Sequence, residues 1–176
     1  IISEKERISS KKSRIIASQQ QVVRFDKENT NPINKKTEVS ILRHLKKIIL
    51  NYDVILLSDY GKGLLTFDLT QSIIKCANIN NKKVLIDPKG FDYSKYKGAY
   101  LLTPNKKEAG EATGINITNS ETLDIAIKKL KNDCDLSISL ITMSELGVAV
   151  YDTKLFTFPT VAREIYDVTG AGDTML

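Results

Sequence analysis

Two periods of apolar residues alternate along the chain, and the switches between them predict an α/β architecture. From Arg14 to Asp26 the period is two: Ile15, Ala17, Val23 and Phe25 fall on one side, Gln20, Val22 and Arg24 on the other. That predicts a strand, weakened by its three glutamines. Asn29-Thr-Asn-Pro32 is a break. Ile41, Leu42, Leu45, Ile48 and Ile49 then recur at helical spacing, which predicts a helix over about 38–50.

Beyond residue 50 short apolar strands and helices take turns. Strands are predicted at Asp53–Ser58, Lys83–Ile86, Ala99–Leu102 and Ser137–Thr142, and helices at Phe67–Asn80, 105–113 and 120–132. In the last helix Leu123, Ala126, Ile127 and Leu130 form one apolar face. Gly147–Tyr151 and Leu155–Phe158 read as an antiparallel hairpin. Strands this short and apolar, separated by helices, predict a mostly parallel sheet covered by helices on both faces.

Composition narrows the class. The 176 residues are 41% hydrophobic and 27% charged, a globular mixture large enough for one domain or a large piece of one. No apolar run reaches the roughly 20 residues that cross a bilayer, so no membrane partner is expected. The chain begins without Met, has no signal-peptide layout and stops just after a glycine-rich turn, which suggests a fragment. The net charge of +5 comes from dispersed lysine pairs such as Lys46-Lys47 and Lys82-Lys83. Nucleic-acid binders concentrate cations on one face with stacking aromatics, and that pattern is missing, so no nucleic-acid partner is expected. Cys76 and Cys134 are isolated, as expected of two buried thiols in a reducing cytoplasm. His44, the single histidine, lies at a surface or boundary position of its predicted helix, without orienting partners for catalysis.

Ligands of parallel sheets bind at the carboxyl ends of the strands. There the chain carries Asp59-Tyr-Gly-Lys-Gly63, Asp87-Pro-Lys-Gly90 and Thr103-Pro-Asn-Lys-Lys-Glu108. The stretch Asp167-Val-Thr-Gly-Ala-Gly-Asp173 adds a turn whose amides can form an anion nest. An aspartate there would repel a phosphate, and it makes sense as the acceptor of a proton from an attacking hydroxyl. An ordinary glycine turn into a helix is the plainer alternative. A Walker loop is excluded, because Gly61-Lys62-Gly63 lacks its hydroxyl and spacing.

The wording of this last turn resembles the C-terminal signature of the ribokinase-like (PfkB-type) carbohydrate kinases. Asn105-Lys-Lys-Glu108 matches that family's Asn-x-x-Glu motif. Ser58–Gly63, Leu85–Gly90 with Asp92 and Tyr96, Leu101–Asn105 and Thr142–Gly147 are similar to its heptose 7-phosphate kinase branch, as is the stretch from Lys12 to Asp26. The resemblance implies transfer of the ATP γ-phosphoryl group to the anomeric hydroxyl of D-glycero-β-D-manno-heptose 7-phosphate, toward ADP-heptose and lipopolysaccharide core.

It makes Asp173 the catalytic base and Gly170, Ala171 and Gly172 the anion hole. Asn105, Glu108, Lys89, Thr142, Gly147 and Thr169 would face the nucleotide, with Asn105 and Glu108 reaching Mg²⁺ through water. Asp59, Lys62, Arg14 and Gln20 would face the sugar phosphate. By their residues alone, Glu108 is a first-turn helix carboxylate beside an Asn105 cap, Lys89 a solvated lysine, and Asp59 a capping residue. A turn explains Gly147 equally well, and Gln20 with Arg24 suits a structural strand.

The expected assembly is one partial kinase domain over residues 1–176, lacking the N-terminal sugar-binding and lid part and the C-terminal helical part. It would be inactive alone, with a fused adenylyltransferase and a homo-oligomer left open. Another ribokinase-like sugar or nucleoside kinase, or a non-catalytic sugar-phosphate-binding module on the same fold, is the alternative function.

Overall fold

The computed structural model describes residues 2–5, 7–17 and 20–160. Thr169, Gly170, Ala171, Gly172 and Asp173 lie outside the described residues.

The N-terminal strand is two strands. β1 (Lys11–Ala17) and β2 (Gln20–Lys27) form an antiparallel pair of their own, where the alternation predicts one strand from Arg14 to Asp26. Ile15 pairs with Val23 and Ser13 with Phe25, before a bulge between Ile15 and Ile16 shifts the register. Partners across an antiparallel ladder share a face, so the period of two reads through a reversal of direction as if the chain ran straight. Both faces of the pair are wet, with Ile15, Ile16, Val22, Val23 and Phe25 exposed.

The rest follows the predicted rhythm. Helix α1 (Lys35–Ile48) starts three residues before its first expected position because the Asn34 side chain accepts the Thr37 N–H at 2.9 Å. β3 (Val54–Ser58) leads to α2 (Phe67–Ile79), which Thr66 caps, and then to β4 (Lys83–Asp87). β5 (Leu101–Leu102) is short, although Tyr100 just before it already bonds Val84 and Ile138 on either side. After α3 (Lys106–Thr113) and α4 (Ser120–Asp133) come β6 (Ile138–Thr142), β7 (Val148–Tyr151) and β8 (Leu155–Phe158).

The main sheet has the order β3-β4-β5-β6-β7-β8, parallel through β6 and antiparallel beyond. This is a mostly parallel α/β sheet of the expected kind. Right-handed crossovers that advance in one direction place their helices on one face. On that face Leu57, Val84, Ile86, Leu102, Ile141 and Ala149 are buried with Ile73, Ile74 and Ala77 of α2 and Leu123, Ala126, Ile127 and Leu130 of α4. Of the two expected helical covers, the described residues supply this one. The opposite face leaves Leu56 55% and Phe158 57% exposed, with Val54 and Phe156 also in water.

Cys76 and Cys134 are both free and buried, and His44 is exposed, as the sequence predicts. Burial pushes the Cys134 thiol up to about 11. Its thiolate is therefore scarce at pH 8, and a thiol reagent is expected to spare it in the native protein and label it in urea. Rapid labelling of Cys134 without denaturant would contradict this packing.

Candidate functional site

The parallel register brings the carboxyl ends of β3, β4, β5 and β6 to one edge, so residues far apart in sequence become neighbours. Thr142 at the end of β6 donates its N–H to the Pro104 carbonyl at 3.0 Å, and a parallel bridge joins it to Asn105. Asn105 caps α3: its side-chain oxygen accepts the Glu108 N–H at 2.9 Å, and Glu108 Oε2 accepts the Asn105 N–H at 3.1 Å. This reciprocal capping box is the local reason for the Asn-x-x-Glu spacing.

Glu108 has a second partner. Its Oε1 accepts from Lys89 Nζ at 2.8 Å, across from the loop after β4. The hydrogen bond and charge of Glu108 raise the Lys89 pKa above its ordinary value. Lys89, Asn105, Glu108 and Thr142 thus form one cluster. Asn105 also lines a cavity of about 690 Å³ with Lys106, Lys107 and Ser144.

The donor set fits a cation held through water. Among the described residues, each Glu108 oxygen accepts one hydrogen bond and keeps a lone pair for a metal-bound water, as Mg²⁺ sites often require. Among the described residues, no group of three or more metal-ligating side chains is assembled for direct coordination.

Gly147 has a structural task of its own. It turns the chain into β7 with φ 89° and ψ −132°, and a Cβ there would stand 1.9 Å from the Phe158 carbonyl oxygen. That contact alone requires glycine.

A second cluster surrounds Asp59, just past β3. Its carboxylate is buried and accepts from the Gly61 N–H at 2.7 Å, Lys95 Nζ at 2.6 Å and the Tyr96 hydroxyl at 2.7 Å. Asp59 lines a cavity of about 520 Å³ with Gly61, Gly63, Thr66 and Lys95. Glu38 closes another side, held below the usual carboxylate range by hydrogen bonds from Lys35 and then Thr66. The remaining sugar candidates are not drawn into this cluster. Lys62 pairs with Glu28. Arg14 lies opposite Arg24, and Gln20 opposite Ala17, on the outlying hairpin. Among the described residues, no hydrogen bond or ion pair joins Arg14 or Gln20 to the strand-end loops. The hairpin approaches through Lys12, whose ammonium lies 5.7 Å from the Tyr60 ring centre.

Sequence reasoning gave no role to Lys95, Tyr96 or Glu38. Tyr96 lies 37 residues from Asp59, and no local spacing connects them. The one available signal is that Tyr96 follows the Asp-Pro-Lys-Gly stretch at the end of the neighbouring strand.

Comparison with known proteins places the chain. The pattern described as pfkB family carbohydrate kinase matches residues 1–176. The curated "Bifunctional protein HldE" of Aliarcobacter butzleri is 59% identical over 176 residues, covering 100% of this chain and 37% of that protein. Its namesake in Sulfurimonas denitrificans is 54% identical over the same shares. The chain therefore spans little more than a third of the length of these relatives. Among solved structures, Arabidopsis thaliana ribokinase complexed with ribose and ATP superposes with a TM-score of 0.63 at 22% identity, over 73% of this chain and 42% of that one. Tetrameric, inhibited phosphofructokinase-2 from Escherichia coli gives 0.69 at 18% identity, over 90% and 52%. At these identities the two structures speak for the fold.

Proposed function

The chain belongs to the pfkB family of carbohydrate kinases, and on that premise we propose that it is part of an ATP-dependent heptose 7-phosphate kinase. The observation that carries this reading is the convergence of Lys89, Asn105, Glu108 and Thr142 at one sheet edge that Asp59 shares. The identity with the two HldE proteins supports the heptose phosphate as acceptor. Residues 1–176 form part of one kinase domain. The length and the word "bifunctional" of those relatives support a second, adenylyltransferase activity in the whole protein, and the tetrameric neighbour is consistent with a homo-oligomer.

In the proposed reaction the anomeric hydroxyl of the sugar attacks the γ-phosphorus of ATP in line. The O–P bond to the sugar forms as the bond to ADP breaks, and the hydroxyl proton passes to Asp173. Amides of Gly170, Ala171 and Gly172 hold the developing charge, with Thr169 beside them. Lys89 leaves Glu108 for a phosphoryl oxygen, while Asn105 and Glu108 orient the waters of the cation. Mg²⁺, when bound, neutralises phosphate charge. Thr142 borders the nucleotide, and Asp59 receives a sugar hydroxyl.

Turnover of a panel of sugar phosphates with Mg-ATP by the full-length protein tests the reading. Preference for the heptose 7-phosphate is expected, and preference for another sugar or a nucleoside would move the protein to another branch of the family. Phosphorylation of none would leave a binding module. Glu108→Gln sharpens the metal assignment, because glutamine can preserve the capping box but removes the charge. The Mg²⁺ needed for half-maximal turnover is expected to rise about tenfold with little change in melting temperature. An unchanged Mg²⁺ requirement would remove Glu108 from the metal's surroundings.

A further inference from the structure

We propose that Lys95 and Tyr96 are positioning residues for the sugar-phosphate site: they fix the Asp59 carboxylate and tie the 59–63 loop to the 87–90 loop. The inference rests on the kinase reading above and names residues that reading does not assign.

The geometry centres on one hydroxyl. Tyr96 is fully buried. Its oxygen lies 2.7 Å from Asp59 Oδ2 and 3.3 Å from the Lys89 carbonyl, and accepts the Lys89 N–H at 3.0 Å. A phenol has a single proton to give, and the shorter contact to a charged acceptor takes it. The Tyr96 oxygen therefore bridges Asp59 in one loop and the Lys89 backbone in the other. Burial raises the Tyr96 pKa far above its ordinary value, which keeps the proton on the phenol at any working pH. Gly61 turns the 59–63 loop with φ 64°, a left-handed conformation that glycine adopts without strain.

Lys95 holds the same carboxylate oxygen from the cavity side. Its ammonium is 2.6 Å from Asp59 Oδ2 and 5.0 Å from the centre of the Tyr96 ring. Stability alone is a poor reason for this arrangement. Burying an ion pair costs about as much desolvation as its attraction returns, and apolar replacements are often neutral or stabilising. What the three donors do achieve is orientation. Among the described residues, Asp59 Oδ1 accepts only the Gly61 N–H, which leaves a lone pair for a sugar hydroxyl in the cavity. Lys89, tied to the same hydroxyl, is held on the phosphoryl side. The pair of loops thus sets the distance between acceptor sugar and transferring group, and effective molarity depends steeply on that distance.

The test uses the full-length protein with Tyr96→Phe, Lys95→Met and Lys95→Arg. Wild-type turnover of heptose 7-phosphate with Mg-ATP is measured first, and its absence overturns the kinase reading together with this inference. Given turnover, Tyr96→Phe and Lys95→Met are expected to raise the sugar-phosphate KM about tenfold, Lys95→Met with the ATP KM within twofold. Lys95→Arg is expected to recover most of the loss, because its guanidinium still donates to Asp59. A merely structural role predicts a different pattern: a lower melting temperature with both KM values unmoved, or both moved together in Lys95→Met. Either outcome overturns the inference. Tyr96→Phe keeps the ring and its packing, so it decides the matter even if Lys95→Met does not fold. An unchanged sugar-phosphate KM in folded Tyr96→Phe is then sufficient to reject it.

Discussion

Replacing Asp173 by asparagine in the full-length protein is expected to lower kcat by about two to four orders of magnitude, the usual contribution of a positioned general base. Asparagine keeps the size and hydrogen-bonding shape of the side chain but cannot take the hydroxyl proton. Binding is expected to survive, because in the proposed site the glycine amides and the cations hold the phosphates. Calorimetric titration with each substrate should therefore give dissociation constants close to wild type. The reasoning is electrostatic: in the proposed turn an acidic side chain amid anion-binding amides would oppose phosphate, so its presence would need a chemical role. Near wild-type turnover by the variant would remove Asp173 from that role. Loss of both turnover and ATP binding would make the residue part of the turn's architecture instead.

The second large effect concerns stability. Gly147→Ala should destabilise the protein by at least about 1–3 kcal/mol, the cost of holding a non-glycine residue in a glycine-only backbone region. The steric term adds to this, because the new Cβ would stand 1.9 Å from the Phe158 oxygen and 2.8 Å from Pro159 backbone atoms. The β7–β8 pair has to open to admit it. A clear drop in melting temperature is expected, with hydrogen exchange accelerating first at Val148–Tyr151 and Leu155–Phe158. A stable variant with weakened ATP binding would instead favour a direct role at the nucleotide.

These two residues illustrate what a linear reading can and cannot deliver. Gly147 is legible as a turn, yet its necessity comes from a strand that returns eleven residues later. Strands β3, β4 and β6 are legible to within a residue or two because Asp, Pro or Gly bounds their apolar runs. The Asn105–Glu108 box is legible because both partners sit in one helical turn. The Lys89–Glu108 and Asp59–Lys95 pairs span 19 and 36 residues, and they exist because β4 stands between β3 and β5. Strand order is a global property that no local spacing encodes. The β1–β2 reversal is hidden for the opposite reason, since its alternation is the same before and after the turn.

The second face of the main sheet, only partly covered among the described residues, has a thermodynamic consequence. Denaturant sensitivity and heat-capacity change both scale with the apolar area that unfolding newly exposes. Leu56 and Phe158, more than half exposed when folded, add little to either. The isolated 176-residue chain should therefore unfold with a shallower urea dependence and a flatter stability curve than a two-face-covered domain of the same length. A sheet partly wet on one side behaves, calorimetrically, like a smaller protein.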